Sequence, residues 1–547
     1  MRATSLIAAG IAILSSVAGC SSRSTAVSAV RSGSPTTAAV PAVSREVRDQ
    51  LLDGAIAVLG RLDDYEEQAA YAQVFDRLNQ WSHALATERP AEGGWRLDPL
   101  YETLPAELRS GVPVAALESS VFAADEDVLA LRDQRWLSDI ASYARGDAID
   151  DLAVAQNLFQ WTVRALAISS DPPMVPTQAT PGSRWFLPGE VLLAGRASSA
   201  QRAWVFLELL RHAGLDGVML ATGNPADGSL QPWIPALLSA GEAYLFEPTY
   251  GMPVPGPGGV GVATARQAAA DPAILRGLSL PDRNYPLQAP DMASLTVLVP
   301  AAPINLARRM QMLDERLAGR GRMEIAIDAS ALAARGLAAL PGEPAAGRTR
   351  LWEFPWETLR RRRQEPTIRA LLSELAPLSV ALEERRPGDG MARVVRPLYV
   401  ARLREFRGDL EGAEGAKAAY LTARPSAAAI AEALKRSPPA ETDAVKRLYE
   451  AMKQDATYWL GVLTLNEGDA ETAVDYLGRM TLEASPDGPW SDAARVNLAR
   501  GLLQLGNPRQ AVAMLEADQS PQRFGSRLLA SRIGREAAGN DGKANGR

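Results

Sequence analysis

The fold is decided by SSAQRAWVFLELLRHAG at residues 198–214 and by two shorter runs that follow it, LDGVMLA at 215–221 and AYLFEPTYG at 243–251. The first run is strongly apolar and predicts a helix, and Gly214 suits the left-handed conformation that ends many helices. The later runs predict strands at Leu215 to Ala221 and Ala243 to Phe246, and the second strand is followed by a turn. A helix, a glycine turn and short antiparallel strands together predict an α+β domain.

The aromatic residues of the first run predict where the core of this domain lies. Trp204 and Phe206 both stand within the apolar stretch Ala203 to Leu210. Large apolar side chains contribute most to a core when they are removed from water. We therefore expect at least one of these two side chains to be deeply buried.

The order of these elements resembles the core of the transglutaminase-like (papain-like) family, over about residues 145–255. In that family a helix carrying the catalytic cysteine ends in Leu-Leu-Arg-x-x-Gly, a strand carries the catalytic histidine, and a later strand ends in Asp-Pro. This chain has Leu209-Leu210-Arg211-His212-Ala213-Gly214 at the helix end and Phe246-Glu247-Pro248-Thr249 at the strand end. The run AQNLFQWTVRALA at 155–167 resembles the helix that precedes them in the family.

The catalytic positions of that family are degenerate here. By the resemblance, its cysteine falls on Ser199, its histidine on Pro232 or Trp233, and its aspartate on Glu247. The family mechanism needs a thiolate, an imidazole and an orienting carboxylate, and neither Pro232 nor Trp233 can accept a proton. The resemblance therefore implies a domain that keeps the transglutaminase-like shape without the chemistry, and no catalytic residue is expected.

An enzyme is the alternative: a hydrolase or acyltransferase with a non-standard active site around Ser199, or one that uses a carboxylate pair. Ser199 would need a base, and His212 is the only candidate close to it in sequence. The two residues are 13 positions apart, about 20 Å along a continuous helix, so they cannot touch. We interpret His212 as a helix C-terminal residue that the helix dipole favours.

The N-terminus predicts a lipid anchor. After Met1-Arg2, the stretch Ser5 to Ala18 is uncharged and too short to span a bilayer comfortably, which is typical of a signal peptide. It ends in Val17-Ala18-Gly19-Cys20, which resembles the bacterial lipobox. The resemblance implies that Cys20 is lipidated and becomes the first residue of an extracytoplasmic, membrane-anchored lipoprotein of the cell envelope. The alternative is an ordinary secretory signal with a chance cysteine.

Cysteine and histidine counts exclude several kinds of site. Cys20 is the only cysteine, so a mature lipoprotein has no disulfide, no catalytic thiolate and no cysteine-ligated metal. His83 and His212 are the only histidines, which argues against zinc. We expect no metal and no cofactor, although a calcium or magnesium ion bound by carboxylates stays open.

Charge and composition argue against a nucleic-acid partner. The net charge is −6, and 47% of the residues are hydrophobic. The one dense basic cluster is Arg360 to Arg363, which stands beside acidic neighbours. We interpret it as the solvated face of a helix rather than as a basic binding patch.

The last third of the chain is helical and repetitive. Three units, beginning at Val400, Tyr458 and Leu498, each place small residues before a glycine turn, at Gly408, Gly468 and Gly506. Each unit resembles a degenerate tetratricopeptide repeat. Such helix pairs stack into a concave surface that usually binds protein segments. The alternative is a plain helical bundle without a partner.

These observations predict how the chain is divided. The predicted segments are a lipoprotein signal peptide and lipobox (1–20), a disordered tether (21–44), a helical N-terminal segment (45–144), the transglutaminase-like domain (145–290), an α/β extension (291–390), tetratricopeptide-like helical repeats (391–534) and a disordered tail (535–547). Residues 90–120 are broken by proline and glycine and predict irregular structure. In the extension, strands are predicted at Leu295 to Val299 and Met323 to Ile327, with a helix at Asn305 to Leu317 between them.

The functional expectation is a non-enzymatic envelope lipoprotein. Its inactive transglutaminase-like domain and its helical repeats would bind or scaffold other envelope proteins, while the lipid on Cys20 holds it at the membrane. The enzyme around Ser199 is the second hypothesis. A chiefly structural lipoprotein without a discrete ligand is the third.

Overall fold

The computed structural model describes residues 44–88, 95–180, 182–223, 229–342, 347–385 and 392–544. The fold is α+β, as predicted. Its ten strands are β1 (Ala167–Ser169), β2 (Arg196–Ser198), β3 (Asp216–Gly223), β4 (Leu230–Ser239), β5 (Glu242–Glu247), β6 (Met252–Pro253), β7 (Thr296–Val299), β8 (Thr349–Leu351), β9 (Leu382–Arg385) and β10 (Ala392–Val395) within these ranges.

Six of these strands form the central sheet, in the spatial order β6-β5-β4-β3-β7-β8. Its pairings are antiparallel except for β7 with β8, which is parallel. Strands β1 and β2 form a parallel pair, and β9 and β10 form an antiparallel pair. The predicted α/β extension therefore supplies two strands, β7 and β8, to the same sheet that β3 to β6 build.

Helices cover both faces of the sheet. The helices up to residue 375, in chain order, are α1 (Arg45–Leu59), α2 (Glu67–Glu88), α3 (Ala106–Gly111), α4 (Val114–Glu118), α5 (Asp127–Ala144), α6 (Asp151–Ala165), α7 (Pro188–Ala194), α8 (Ser199–His212), α9 (Ala265–Ala270), α10 (Pro272–Arg276), α11 (Pro303–Leu306), α12 (Arg308–Asp314), α13 (Ala329–Ala339), α14 (Glu353–Arg362) and α15 (Glu365–Leu375). Gly217 on β3 faces Leu207 and Leu210 of α8, whereas its neighbour Val218 faces α13. Successive residues of a strand point to opposite faces, so α8 and α13 lie on opposite sides of the sheet.

Helix α8 occupies the centre of the core, as its apolar sequence predicts. Trp204 and Phe206 are both buried, which confirms the expectation for this run. The Phe206 ring lies 5.1 Å from that of Phe159 on α6 and 4.9 Å from that of Phe246 at the end of β5. Gly214 adopts the left-handed conformation just after the helix, with φ of 77°.

Three local predictions are wrong. The run Met323 to Ile327 forms no strand, because its backbone bonds to side chains: Asn305 Nδ2 donates to Ile325 O at 2.8 Å, and Ile325 N donates to Asp314 Oδ1 at 2.8 Å. The single helix predicted at Asn305 to Leu317 is two helices, α11 and α12, which meet at the extended residue Ala307. Residues 95–120 are not irregular throughout, since they contain α3, α4 and a 3₁₀ helix.

The last third of the chain is all-α apart from β10. Its helices are α16 (Pro397–Arg407), α17 (Ala416–Thr422), α18 (Ala427–Lys435), α19 (Thr442–Asn466), α20 (Ala470–Val474) continued by a π-helix (Asp475–Glu483), α21 (Ser491–Gln504), α22 (Pro508–Glu516) and α23 (Arg523–Ala544). Short 3₁₀ helices connect elements along the chain, at Leu62–Asp64, Pro99–Thr103, Pro176–Gln178, Pro257–Gly259, Ala289–Ser294, Gly319–Gly321, Ala376–Ser379 and Pro439–Glu441. Helix α23 continues past residue 535, where the sequence predicts the disordered tail to begin.

Three helix pairs in this part share one kind of turn. Helices α16 and α17, α19 and α20, and α21 and α22 pack against each other, and each pair is connected through a glycine with positive φ: Gly408, Gly468 and Gly506. In the second pair, Gly461 lets Leu477 approach the backbone of α19, since a Cβ there would meet Leu477 Cγ at 2.7 Å. A residue without a side chain is needed where two helices come this close.

The C-terminal helices share one hydrophobic core with the rest of the protein, which extends from Leu52 on α1 to Ile533 on α23. Polar contacts reinforce this packing. The Arg202 guanidinium on α8 donates to Gln522 Oε1 at 2.6 Å, and Arg402 Nη2 on α16 donates to Leu192 O on α7 at 2.7 Å. The C-terminal helices are thereby held against the elements that surround α8.

Candidate functional site

The N-terminus of α8 is fixed by a reciprocal cap. Ser198 accepts a hydrogen bond from the backbone N–H of Gln201 at 3.3 Å, and Gln201 Oε1 accepts one from Ser198 N at 3.0 Å. Such a capping box satisfies two backbone donors that the first turn otherwise leaves unpaired. It places Ser199 on the first turn of α8.

A cavity of about 400 Å³ lies at this helix end. Ser199, Pro232 and Trp233 of β4, and Glu247 at the end of β5 all line it. The sequence separates these residues by up to 48 positions, and the antiparallel order of β3, β4 and β5 brings them together. Every position that the family resemblance marks as degenerate therefore lies at one site.

The hydroxyl of Ser199 has a hydroxyl as its neighbour. Its Oγ lies 2.8 Å from Oγ1 of Thr249, in the turn after β5. Either oxygen can donate in such a pair. Thr249 in turn donates its backbone N–H to Glu247 Oε1 at 2.9 Å, and its side chain also bonds to that carboxyl. Ser199 is therefore linked to the carboxyl only through Thr249.

Glu247 is buried, with 5% of its surface exposed. Burial raises the pKa of its carboxyl, and hydrogen bonds from Tyr285 and Thr249 act in the opposite direction. The Tyr285 hydroxyl donates to Glu247 Oε2, and Trp233 Nε1 donates to the Tyr285 oxygen at 2.8 Å. Burial and the neighbouring Glu247 hold the pKa of Tyr285 well above its ordinary value, so the phenol keeps its proton.

Tyr285 is the site residue that the sequence does not reveal. It stands 38 residues after Glu247, in a loop, and nothing in its neighbourhood marks it as functional. Its hydroxyl joins Trp233 to Glu247, so the position that carries the family's histidine is occupied by an indole bonded to a phenol. An indole N–H can only donate, and this one is already used.

The remaining walls of the cavity combine prolines with polar groups. Pro172, Pro173, Pro286 and Pro521 line it, together with Arg283. The Arg283 side chain is exposed at the surface, and its guanidinium lies 3.8 Å from the centre of the Phe524 ring on α23. Pro521 lies in the segment that connects α22 to α23, so the C-terminal third of the chain supplies part of the cavity wall.

A buried arginine connects this wall to α8. Arg202 donates to Leu166 O at 3.0 Å and to Pro248 O at 3.1 Å, in addition to Gln522. Burial lowers the pKa of Arg202 to about 9. Arg202 therefore ties the strand end that carries Glu247, the helix of Ser199 and the start of α23 into one unit.

Neither histidine lines the cavity in the described part of the chain. His83 is exposed on α2. Helix α8 is continuous, so His212 lies at its far end, where its Nε2 is 3.0 Å from Gln134 Oε1 and its Nδ1 accepts from Glu324 N at 3.3 Å. The expected stabilisation of a charged His212 by the helix dipole is wrong: burial, then Arg211 and Arg135, hold the pKa well below its ordinary value, and the ring is neutral.

Other predicted features lie elsewhere. Cys20 and the lipobox are outside the described residues. Arg360 and Arg361 on α14 bind Glu357, and Arg362 binds Glu190, so this basic cluster is largely paired. Over the described ranges, His, Asp and Glu residues form no group of three or more that could hold a metal ion. Every helix within those ranges is too short or too polar to cross a lipid bilayer.

Chemically, the site offers hydroxyls, a buried carboxyl with a raised pKa and one exposed guanidinium. It has no imidazole and no thiol among its lining residues. A serine needs a base within hydrogen-bond reach to become a nucleophile, and among the described residues the hydrogen-bond partner of Ser199 Oγ is another hydroxyl. Comparison with known proteins adds no further guide, since no family model, curated protein or solved structure matches the chain.

Proposed function

We propose that this protein is a membrane-anchored lipoprotein of the bacterial cell envelope that binds other envelope proteins and catalyses no reaction on them. The binding site is the cavity at the N-terminus of α8. It belongs to a transglutaminase-like domain whose catalytic positions have become Ser199, Pro232 or Trp233, and Glu247. The tetratricopeptide-like helix pairs of the C-terminal third extend the binding surface.

The proposal rests on the hydrogen bonds that connect the residues lining the cavity. Trp233 Nε1 bonds to Tyr285, and Tyr285 bonds to Glu247, so the carboxyl that would orient an imidazole is occupied by a phenol. A cavity of about 400 Å³ is retained beside these residues. Its size is within the range of small-molecule and peptide side-chain sites. A cavity that is still open, but whose carboxyl is bonded to a phenol and not to an imidazole, favours binding over catalysis.

The helix pairs support a protein partner. Pro521 lines the cavity, so a segment bound beside Ser199 also touches the region that connects α22 to α23. Paired helices with glycine turns stack side by side and present an extended surface for a polypeptide. A partner peptide held in the cavity thereby gains contacts with both parts of the protein.

The anchor rests on the sequence alone. The motif Val17-Ala18-Gly19-Cys20 follows an uncharged stretch, as in lipoproteins. Several acyl chains, each contributing about 0.8 kcal/mol per buried methylene, hold a protein stably on a membrane. The tether of residues 21–44 would let the folded part reach partners away from the lipid surface.

A second candidate is a hydrolase or acyltransferase that uses Ser199. It is favoured by the chain of contacts from Ser199 through Thr249 to Glu247. In this hypothesis an ionised Glu247 draws a proton through the threonine hydroxyl. The raised pKa of Glu247 makes its ionised form a better proton acceptor but reduces the fraction that is ionised.

A photo-cross-linking experiment in intact cells tests the binding proposal. A photoreactive residue replaces Thr222, which lines the cavity at the end of β3. Because the cavity is the proposed binding site, we expect a covalent adduct of discrete mass with an envelope protein, found in the membrane fraction. With Cys20→Ser, the chain should not mature, and the adduct of the mature protein should be lost.

The matched control carries the same photoreactive group at Val260, a side chain with 78% of its surface exposed that is not among the cavity residues. It should give no discrete adduct. Equal adducts at both positions, or none at Thr222, would contradict binding at the cavity. Unchanged processing of Cys20→Ser and a soluble product from both the wild type and the variant would remove the lipid anchor from the account.

A further inference from the structure

Two arginines lie together without a carboxylate where α6 meets the C-terminal helices. Arg164, on the last turn of α6, donates through Nε to Asn466 Oδ1 at 2.7 Å, which is a neutral partner. Arg500, on α21, has an Nη1 that is buried and has no hydrogen-bond partner. Both side chains are partly buried.

Three other buried arginines of this chain are paired with acids, whereas Arg202 has only neutral hydrogen-bond partners. Arg132 binds Asp133 at 2.7 Å, Arg309 binds Asp127 at 2.6 Å, and Arg402 binds Glu405 at 2.6 Å. A desolvated cation is costly unless such a partner compensates it. Arg164 and Arg500, with Arg202 near them, therefore lack the compensation that Arg132, Arg309 and Arg402 have.

The electrostatic surroundings of Arg500 agree with this geometry. Burial first, and then the positive charges of Arg164 and Arg202, lower the pKa of Arg500 to about 9, and Tyr458 is the one group that acts in the opposite direction. Burial also lowers the pKa of Arg164, opposed only by Tyr143. In the part of the chain that the structure describes, no carboxylate acts on either guanidinium enough to shift its pKa.

Asn497 adds an unpaired acceptor one turn before Arg500. Its Nδ2 donates to the backbone carbonyl of Arg164 at 3.2 Å and to the Tyr458 hydroxyl at 3.1 Å. A carbonyl can only accept, so this contact fixes which end of the amide is the nitrogen. Asn497 Oδ1 is consequently buried without a donor. One turn of α21 thus presents both a cationic donor and an acceptor that lack partners.

We propose that Arg164, Arg500 and Asn497 form a binding site for a hydrogen phosphate group. The charged oxygens of the anion accept hydrogen bonds from the two guanidinium groups, which match oxyanions in geometry and charge. Its P–OH donates to Asn497 Oδ1. Sulfate and chloride have no such proton, so they satisfy the arginines and leave the asparagine unpaired. The site is separate from the cavity beside Ser199 and does not depend on the function proposed for that cavity.

Thermal unfolding of the full chain in detergent tests this site. Inorganic phosphate should raise the Tm in a saturable way over chloride at matched pH and ionic strength, because a ligand of the folded state stabilises it by mass action. Sulfate should raise it less. Arg500→Gln should weaken phosphate binding at least about tenfold, because it removes a charged contact. A loss of about 1.4 kcal/mol corresponds to a tenfold change in the dissociation constant. Its Tm without phosphate should be unchanged or higher, because an uncompensated cation has been removed.

Arg495→Gln is the control, since Arg495 lies on the same helix but is already paired with Asp492 at 2.7 Å. It should keep the full response to phosphate. Titration calorimetry of the wild type, and of Arg164→Gln if Arg500→Gln does not fold, gives a second readout. No phosphate-specific rise in the wild type, or an unchanged rise in the arginine variants, would overturn the site. An equal rise with sulfate would overturn the assignment to hydrogen phosphate. Glycerol phosphate, compared with the free ion, distinguishes a phosphate monoester from inorganic phosphate as the better ligand.

Discussion

Phe206→Ala should lower the free energy of unfolding by about 3–5 kcal/mol, the range for truncating a buried aromatic residue. The Phe206 ring has none of its surface exposed and contacts the rings of Phe159 and Phe246. Its loss leaves a cavity between α6, α8 and the end of β5, and these elements are fixed by other contacts, so they cannot close the gap. Denaturant unfolding monitored by circular dichroism measures the change.

Val260→Ala is the comparison, because Val260 is 78% exposed and its truncation removes little buried surface. Its effect should stay within about 0.5 kcal/mol, as for most surface substitutions. If Phe206→Ala were as mild as Val260→Ala, α8 would not be the central helix of the core, and the position of the cavity at its N-terminus would lose its basis.

Gly195→Ala should be nearly as damaging, by about 2–5 kcal/mol. Gly195 ends α7 with φ of 66°, a conformation that costs a residue with a side chain about 1–2 kcal/mol. An added Cβ would also overlap the indole ring of Trp459 on α19. That ring cannot move away freely, since the Arg402 guanidinium lies 3.7 Å from its centre. Overpacking of this kind costs a further 1–3 kcal/mol, roughly.

Gly214→Ala separates the two contributions. Gly214 has φ of 77°, but a Cβ there meets nothing within 4 Å. Its replacement should therefore cost only the conformational part, about 1–2 kcal/mol. Equal losses for the two variants would mean that the C-terminal helices do not pack against Gly195, and the cavity wall that contains Pro521 would then be in doubt.

Features that depend on neighbouring residues could be predicted from the sequence. The apolar run of α8, its end at Gly214 and the glycine turns at Gly408, Gly468 and Gly506 are all local, and each is present. Capping, periodicity and the freedom of glycine act within a few residues, so a single sequence contains the information they need. At Met323 to Ile327 the pattern of apolar residues reflects burial and not a strand, so the strand prediction fails there.

Strand β4 was not predicted, and the reason is physical. It contains Pro232 and Pro235, and proline argues against a strand inside a sheet because it cannot donate to the ladder. Both prolines precede Ala236, where pairing with β5 begins, so at their positions β4 has only β3 as a partner strand. The pairing with β3 is itself irregular between Met219 and Ala221. The prolines lack a backbone N–H, but at their positions no β5 strand is present to accept a hydrogen bond from one.

The residues that the family resemblance singles out lie at one cavity, but their hydrogen bonds could not be predicted from the sequence. Ser199, Trp233 and Glu247 meet at the cavity, whereas Tyr285 and Thr249 supply the contacts that decide its chemistry. Those contacts depend on how a distant loop folds back over the sheet. The state of His212 is a similar case, because burial, which no sequence pattern reports, outweighs the helix dipole.

The central claim is that the cavity binds without catalysis, and reaction of Ser199 with a serine-directed fluorophosphonate tests it most directly. The full chain and Ser199→Ala are incubated with the reagent, analysed by intact mass, and assayed in parallel for amide and ester hydrolysis. Since only the Thr249 hydroxyl touches Ser199 Oγ, we predict no adduct on Ser199 and identical background rates for both proteins. A stoichiometric adduct on Ser199 in the wild type, with hydrolysis that Ser199→Ala abolishes, would contradict the account and identify Glu247, acting through Thr249, as the base.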